Sequence, residues 1–176
     1  MMTHVNKALI VIDMQNDYFL GGKFPLWNTD EVLNNIKQAI VKANELNIPV
    51  IHVQHVADSS KGIAPFFNEG TTGVAIHDEV MALAPDAPVV VKHFADGFLQ
   101  TNLAVVLQEL GSEELLICGM MTQNCVTHTA MSDDAKKYQV NVLADCCTTV
   151  NEMIHLIALN AMAPKINLVP VTEALS

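Results

Sequence analysis

The sequence predicts an α/β fold, a three-layer α/β/α sandwich built on a six-stranded, mainly parallel, doubly wound sheet. Two observations predict it. Short apolar runs alternate along the chain with longer stretches of helical periodicity, the pattern of strand–helix–strand crossovers. The runs are also apolar at consecutive positions, which marks strands covered on both faces and paired in parallel. Right-handed crossovers then wind helices onto both sides of the sheet. A length of 176 residues suits one unit, and no linker or internal repeat divides it, so one domain is expected over 1–176.

The elements follow in order. Lys7–Ile12 is an apolar run that stops at Asp13 and predicts the first strand. A polar loop through Gly21 and Gly22 leads to a helix starting near Asn28 or Thr29. Asn28 and Glu31 have the spacing of a capping box. Val32, Leu33, Ile36, Ile40 and Ala43 then line one helical face. Pro49–His55 predicts the second strand, and an irregular stretch rich in Gly, Ser and Pro runs to Pro85. Loops this long usually carry function, here a pocket cover or a subunit contact, with Phe66 and Phe67 as contact candidates. Pro88–Val91 predicts the third strand, with Lys92 just after it. A helix over Asn102–Leu110 has Thr101 as its cap and Gly111 as its stop. The fourth strand is Glu114–Cys118, followed by one helix over Thr122–Lys137. Val140–Ala144, a helix over Val150–Met162, and Asn167–Val171 as an edge strand with Pro170 near its end complete the set.

Composition narrows the function. Hydrophobic residues make up 51% of the chain and charged residues 16%, so long disorder is not expected. The net charge is -10 and there is no Arg, which argues against nucleic acid and against an anionic membrane surface as partners. No run is long and apolar enough for a bilayer, no signal-peptide pattern is evident, and the chain reads as cytoplasmic. The four cysteines Cys118, Cys125, Cys146 and Cys147 include no Cys-x-x-Cys pair. No cofactor and no metal are called for.

In open parallel sheets, pockets form beyond the carboxyl ends of the strands. That rule gathers Asp13 after the first strand, Lys92 after the third and Cys125 after the fourth on one rim. An ammonium and a helix N-terminus beside a thiol favour thiolate, and a carboxylate can take the thiol proton and later deliver it to a leaving amine. Backbone N–H groups of the Gly119–Cys125 turn are placed to hold an oxyanion.

Three motifs carry a family resemblance: ALIVIDMQNDY at 8–18, VVVKHFADGF at 89–98 and ICGMMTQNCVTHTAMSDDA at 117–135. Together they resemble the isochorismatase-like cysteine hydrolases, which include nicotinamidases and N-carbamoylsarcosine amidohydrolases, over nearly the whole chain. The resemblance implies Asp13, Lys92 and Cys125 as the catalytic set. It implies a cis peptide at Met120–Met121, with the backbone N–H groups of Met121 and Cys125 as the oxyanion hole. It further implies a small-molecule substrate and a homo-oligomer, dimer or larger, in which a neighbouring subunit helps to complete the pocket.

Gln15, Phe19, Trp27, His55 and Phe98 are candidates for the substrate pocket, with loop pinning the favoured reading for Gln15 and core or interface packing for most of the aromatics. Asp145 is read as structural. Metal-containing nicotinamidases carry an Asp-x-His pattern after the second strand, whereas this chain has VIHVQHVADSS at 50–60. Three apart on a strand, His52 and His55 face opposite sides and do not share a metal. The activity expected is hydrolysis of a small amide or carbamoyl compound through a thioester. The alternatives are vinyl-ether hydrolysis, to which the Cys125 thiol is foreign, and a non-catalytic binding module on the same fold.

Overall fold

The computed structural model describes residues 5–176; the remainder of the predicted 1–176 unit lies outside the described residues. Its sheet contains β1 (Lys7–Ile12), β2 (Val50–His55), β3 (Val89–Lys92), β4 (Glu114–Met120), β5 (Gln139–Thr148) and β6 (Asn167–Val169). The spatial order is β3-β2-β1-β4-β5-β6, and every neighbouring pair is parallel. The helices are α1 (Thr29–Glu45), α2 (Asp78–Leu83), α3 (Leu103–Glu109), α4 (Thr127–Ala130), α5 (Glu152–Met162) and α6 (Val171–Ala174). Among the described residues, no helix is long and apolar enough to cross a membrane.

β1 shows why the chain needs two covering layers. Leu9 and Val11 enter the core shared with α1, α2 and α6, while Ala8, Ile10 and Ile12 enter the core shared with α3, α4 and α5. All five are buried, so exposing either face to water would forfeit about 25 cal/mol for each Å² of apolar surface. The winding reverses between β1 and β4, and the carboxyl ends of those two strands flank the crevice where such sheets place their sites.

Several elements depart from the sequence reading, each for a local reason. Asn28 does not cap α1 through its side chain; it takes a left-handed conformation, which Asn tolerates, and its carbonyl accepts from the Val32 N–H. The long stretch after β2 contains α2, begun by His77, whose Nδ1 accepts from the Glu79 N–H. Phe67 is buried and its ring meets Tyr18 at 4.5 Å, with Phe66 5.5 Å from the same ring. Within the chain both rings pack on Tyr18, Phe67 buried and Phe66 partly exposed. The expected helix over Thr122–Lys137 is three pieces: a π-helical turn at Thr122–Val126, then α4, then a 3₁₀ helix at Asp133–Lys137. The Thr122 carbonyl accepts both the Thr127 N–H and Thr127 Oγ1, the latter at 2.6 Å, and Ser132 Oγ donates to Asp96 Oδ2 at 2.7 Å beyond the end of α4.

β5 runs on to Thr148 through a register break opposite Cys118, which places Asp145, Cys146 and Cys147 inside the strand. Asp145 is structural: Oδ1 accepts from the Val171 N–H and its carbonyl from Asn35 Nδ2. β6 stops at Val169, because Pro170 opens α6 instead of extending the strand.

Candidate active site

Strand register builds the site. Ile12 lies opposite both Val53 of β2 and Gly119 of β4, and His55 is the cross-strand partner of Lys92. Asp13 leaves β1 with φ of 53°, its N–H held by the Val53 carbonyl. Gly119 has φ of 123°, and a Cβ there would collide with the Ile12 carbonyl oxygen. Only glycine lets the end of β4 approach β1 this closely. The chain then passes a cis Met120–Met121 peptide and enters the π-helical turn that carries Cys125. The Met121 carbonyl accepts from both the Asn124 and the Val126 N–H, which ties the turn to the strand end.

The three sequence-predicted reactive side chains meet. Lys92 Nζ lies 3.2 Å from Asp13 Oδ2 and 3.2 Å from Cys125 Sγ. Asp13 and Lys92 are fully buried, and Cys125 is 2% exposed. Lys92 also donates to the Phe94 carbonyl at 3.1 Å and to His55 Nδ1 at 2.7 Å. Asp13 Oδ1 has no hydrogen-bond partner and stands as the open acceptor of the cluster.

Electrostatics set the resting charges. Burial raises the Asp13 carboxyl, and the Lys92 charge works against that rise. Burial also pushes the Cys125 thiol well up, helped by the Asp13 charge and opposed by Lys92. Burial and Asp13 thus oppose ionisation of the sulfur, and Lys92 favours it. The helical segment that carries Cys125 in its first turn runs from Thr122 to Ala130, shorter than the expected Thr122–Lys137. The carboxyl and the thiol are two proton-holding groups placed against the same Lys92 nitrogen.

The pocket candidates divide. His55 joins the cluster, and burial lowers its imidazole to about 3, aided by the charges of Lys92 and His93. Gln15 does not line a pocket. It is fully buried, its Nε2 donates to the His55 and Val74 carbonyls at 2.8 Å, and its Oε1 accepts from the His55 N–H at 2.8 Å. Phe19 packs on the His77 ring at 4.6 Å and faces a separate cleft of about 390 Å³ with Lys23 and Thr72, away from Cys125. Phe98 is core, stacked with Tyr138 in the apolar cluster that surrounds Cys125. Trp27 stands one layer back, with its ring 6.1 Å from His155, whose Nδ1 pairs with Thr122 Oγ1 at the start of the Cys125 turn.

The sequence reading missed Tyr18. Burial and then the charges of Asp13 and Cys125 raise its hydroxyl above the usual phenol range, so the ring stands close to the reactive groups. An aromatic five residues past Asp13 in a polar loop was the available signal. Asn16 and Asp17 order that loop: Asn16 Nδ2 donates to the Thr72 carbonyl, and Asp17 accepts from the N–H groups of Lys23 and Phe67.

Asp13, His55 and Cys125 each offer a ligand atom, all within 4.8 Å of one another. Those atoms already surround the Lys92 ammonium, so a divalent ion there would sit against a fixed positive charge. His52 leaves the opposite face, where its Nε2 pairs with the Ala84 carbonyl. The residues present do not fit a metal centre of the nicotinamidase type.

A doubly wound parallel sheet with a buried carboxylate, ammonium and thiol at its switch point defines an α/β enzyme class rather than one activity. Comparison with known proteins supplies the family: residues 7–174 match the isochorismatase domain, and the chain belongs to this family of hydrolases. The uncharacterized isochorismatase family protein YddQ of Bacillus subtilis is 39% identical over 85% of this chain and 82% of its own length. Nicotinamidase 3 of Arabidopsis thaliana is 29% identical over 84% of this chain and 76% of its own. The crystal structure of an isochorismatase family protein from Desulfovibrio vulgaris superposes with a TM-score of 0.87 at 27% identity, covering 97% of this chain and 96% of that one.

Proposed function

We propose that this chain is a cysteine hydrolase that cleaves a small amide or carbamoyl compound through a thioester on Cys125. The observation that carries the reading is the Lys92 ammonium at 3.2 Å from both a buried carboxylate, Asp13, and a buried thiol, Cys125. A relative named nicotinamidase supports amide chemistry, and the enclosure of the three side chains supports a small substrate.

Asp13 takes the Cys125 proton as the sulfur attacks the substrate carbonyl and the C–S bond forms. The oxyanion is held by the backbone N–H groups of Met121 and Cys125, where losing one such donor costs about 3 kcal/mol. The C–N bond breaks as protonated Asp13 returns its proton to the leaving nitrogen. Water then gives a proton to Asp13 and its oxygen to the acyl carbon. The C–S bond breaks, and the sulfur recovers the proton. The negative charge passes from the Asp13 carboxylate to the oxyanion as the C–S bond forms and returns to Asp13 when the C–N bond breaks, and Lys92 stays beside both Asp13 and the sulfur.

Vinyl-ether hydrolysis requires no thiol, and a binding module requires none of the three groups. A panel of small primary amides and carbamoyl compounds, scored by ammonia release, tests the reading. At least one should be turned over by the native chain and by none of Asp13→Asn, Lys92→Met or Cys125→Ala. Full activity in Cys125→Ala would refute it.

The working form is proposed to be a homo-oligomer. Met153, Leu156 and Ile157 leave an apolar face on α5 open to solvent, and α5 packs on the turn that carries Cys125. Light scattering should give a mass of at least two chains; a monomer at working concentration would contradict this.

A further inference from the structure

The geometry points to His55 as a positioning residue, a neutral acceptor that fixes the direction of the Lys92 ammonium. This inference rests on the cysteine-hydrolase reading above. An ammonium has three N–H bonds and no acceptor. Lys92 Nζ nevertheless faces four acceptors: His55 Nδ1 at 2.7 Å, the Phe94 carbonyl at 3.1 Å, and Asp13 Oδ2 and Cys125 Sγ both at 3.2 Å. The two shorter contacts go to neutral groups that take no part in the chemistry. They occupy two N–H bonds and leave the third to be shared between carboxylate and sulfur.

That division has a consequence for catalysis. A free ammonium would swing toward Asp13 and stabilise the resting state at the expense of the sulfur. Pinned by His55 and Phe94, it stays equidistant from the two groups that exchange the proton, and its third N–H follows the negative charge between them. An interaction that strengthens as charge moves onto the sulfur lowers the barrier; one that strengthens only the resting pair does not.

His55 is itself held for this task. The Gln15 amide grips its backbone from both sides, at 2.8 Å on the N–H and 2.8 Å on the carbonyl. Its ring lies 5.9 Å from that of Phe67. Because Lys92 can only donate, Nδ1 carries no proton and the ring proton sits on Nε2. Burial and the neighbouring Lys92 and His93 charges keep the ring neutral down to about pH 3, so the acceptor persists at any working pH.

Two variants and one spectrum test the inference. The Gln15 clamp holds only the backbone of residue 55, so side-chain replacement leaves it intact. His55→Leu removes the acceptor, while His55→Asn keeps an oxygen near the place of Nδ1. The probe is iodoacetamide, with labelling of Cys125 followed by peptide mass spectrometry. His55→Leu should lower the limiting labelling rate about 10-fold or more without changing the half-saturating concentration, the scale of a lost hydrogen bond to a charged group. His55→Asn should restore most of the rate. Nitrogen NMR of the native chain should show His55 protonated at Nε2 only, from pH 5.5 to 8. A His55→Leu rate equal to native, a proton on Nδ1, or titration near the ordinary imidazole value would overturn the inference; the spectrum decides even if His55→Leu fails to fold. The outcomes also separate the two claims. If Cys125→Ala releases ammonia from an active amide at the native rate, the cysteine reading fails; if Cys125→Ala is inactive and His55→Leu labels at the native rate, only the role of His55 fails.

Discussion

Asp13 and Lys92 form an ion pair 3.2 Å long in which neither side chain is exposed to solvent. Breaking such a pair leaves a buried charge without its counter-charge, which typically costs about 3–5 kcal/mol. Lys92→Met and Asp13→Asn should each lower the urea midpoint, and the double variant should lose much less than the sum of the two. Additive losses would mean that the pair is not coupled in solution.

Asp13 has opposite effects on the ionisation of the thiol and on its use. Burial and the Asp13 charge raise the Cys125 thiol, while Lys92 lowers it. Removing the carboxylate charge in Asp13→Asn should therefore let the thiol ionise at lower pH than in the native chain. Turnover should nonetheless fall by about 100-fold or more, because the proton acceptor is gone. Thiolate absorbance against pH, set beside the rate of ammonia release, checks both halves. A thiol that ionises at higher pH in Asp13→Asn would contradict the electrostatic account.

Stability should decline on mild acidification. His52, His55 and His155 are each lowered from 6.5, chiefly by burial. Below that value the unfolded chain binds protons that the folded chain refuses, so the stability these groups contribute is present above pH 6.5 and is lost as pH falls toward their folded values. For His55 the loss extends to about pH 3. Asp13 acts with the opposite sign, since its raised carboxyl favours the folded state as pH falls. His52 is the cleanest reporter, because its Nδ1 is buried without a partner and a proton placed there would find no acceptor. Urea midpoints at pH 7 and 5.5 should differ less for His52→Asn than for the native chain; an equal difference would remove His52 from the account.

The sheet and the reactive trio were legible in the sequence for a simple reason. Apolar runs ending at Asp13, Lys92 and the Cys125 turn mark strand ends, and parallel sheets bring strand ends to one rim. The resistance of the sulfur to ionisation was not legible. It depends on how deeply Cys125 is buried and on the balance of Asp13 against Lys92, which are distances rather than residue types. Gln15, Phe19 and Phe98 have the side chains of pocket residues, yet tertiary partners claim them: the His55 backbone, the His77 ring and the Tyr138 ring. The π turn at Thr122–Val126 and the end of α4 at Ala130 were hidden because helical periodicity registers neither. The contact of His55 with Lys92 follows from β2–β3 register, which a run of consecutive apolar residues leaves open.

The claim beneath all of this is that the sulfur of Cys125 becomes covalently bonded to the acyl group of the substrate. Rapid quenching during turnover of an active amide, followed by intact-mass and peptide mass spectrometry, measures that bond. The account predicts a transient adduct of acyl mass on Cys125 that forms before the acid product is released and is absent from Cys118, Cys146 and Cys147. Steady turnover by the native chain with no adduct on Cys125 would contradict it.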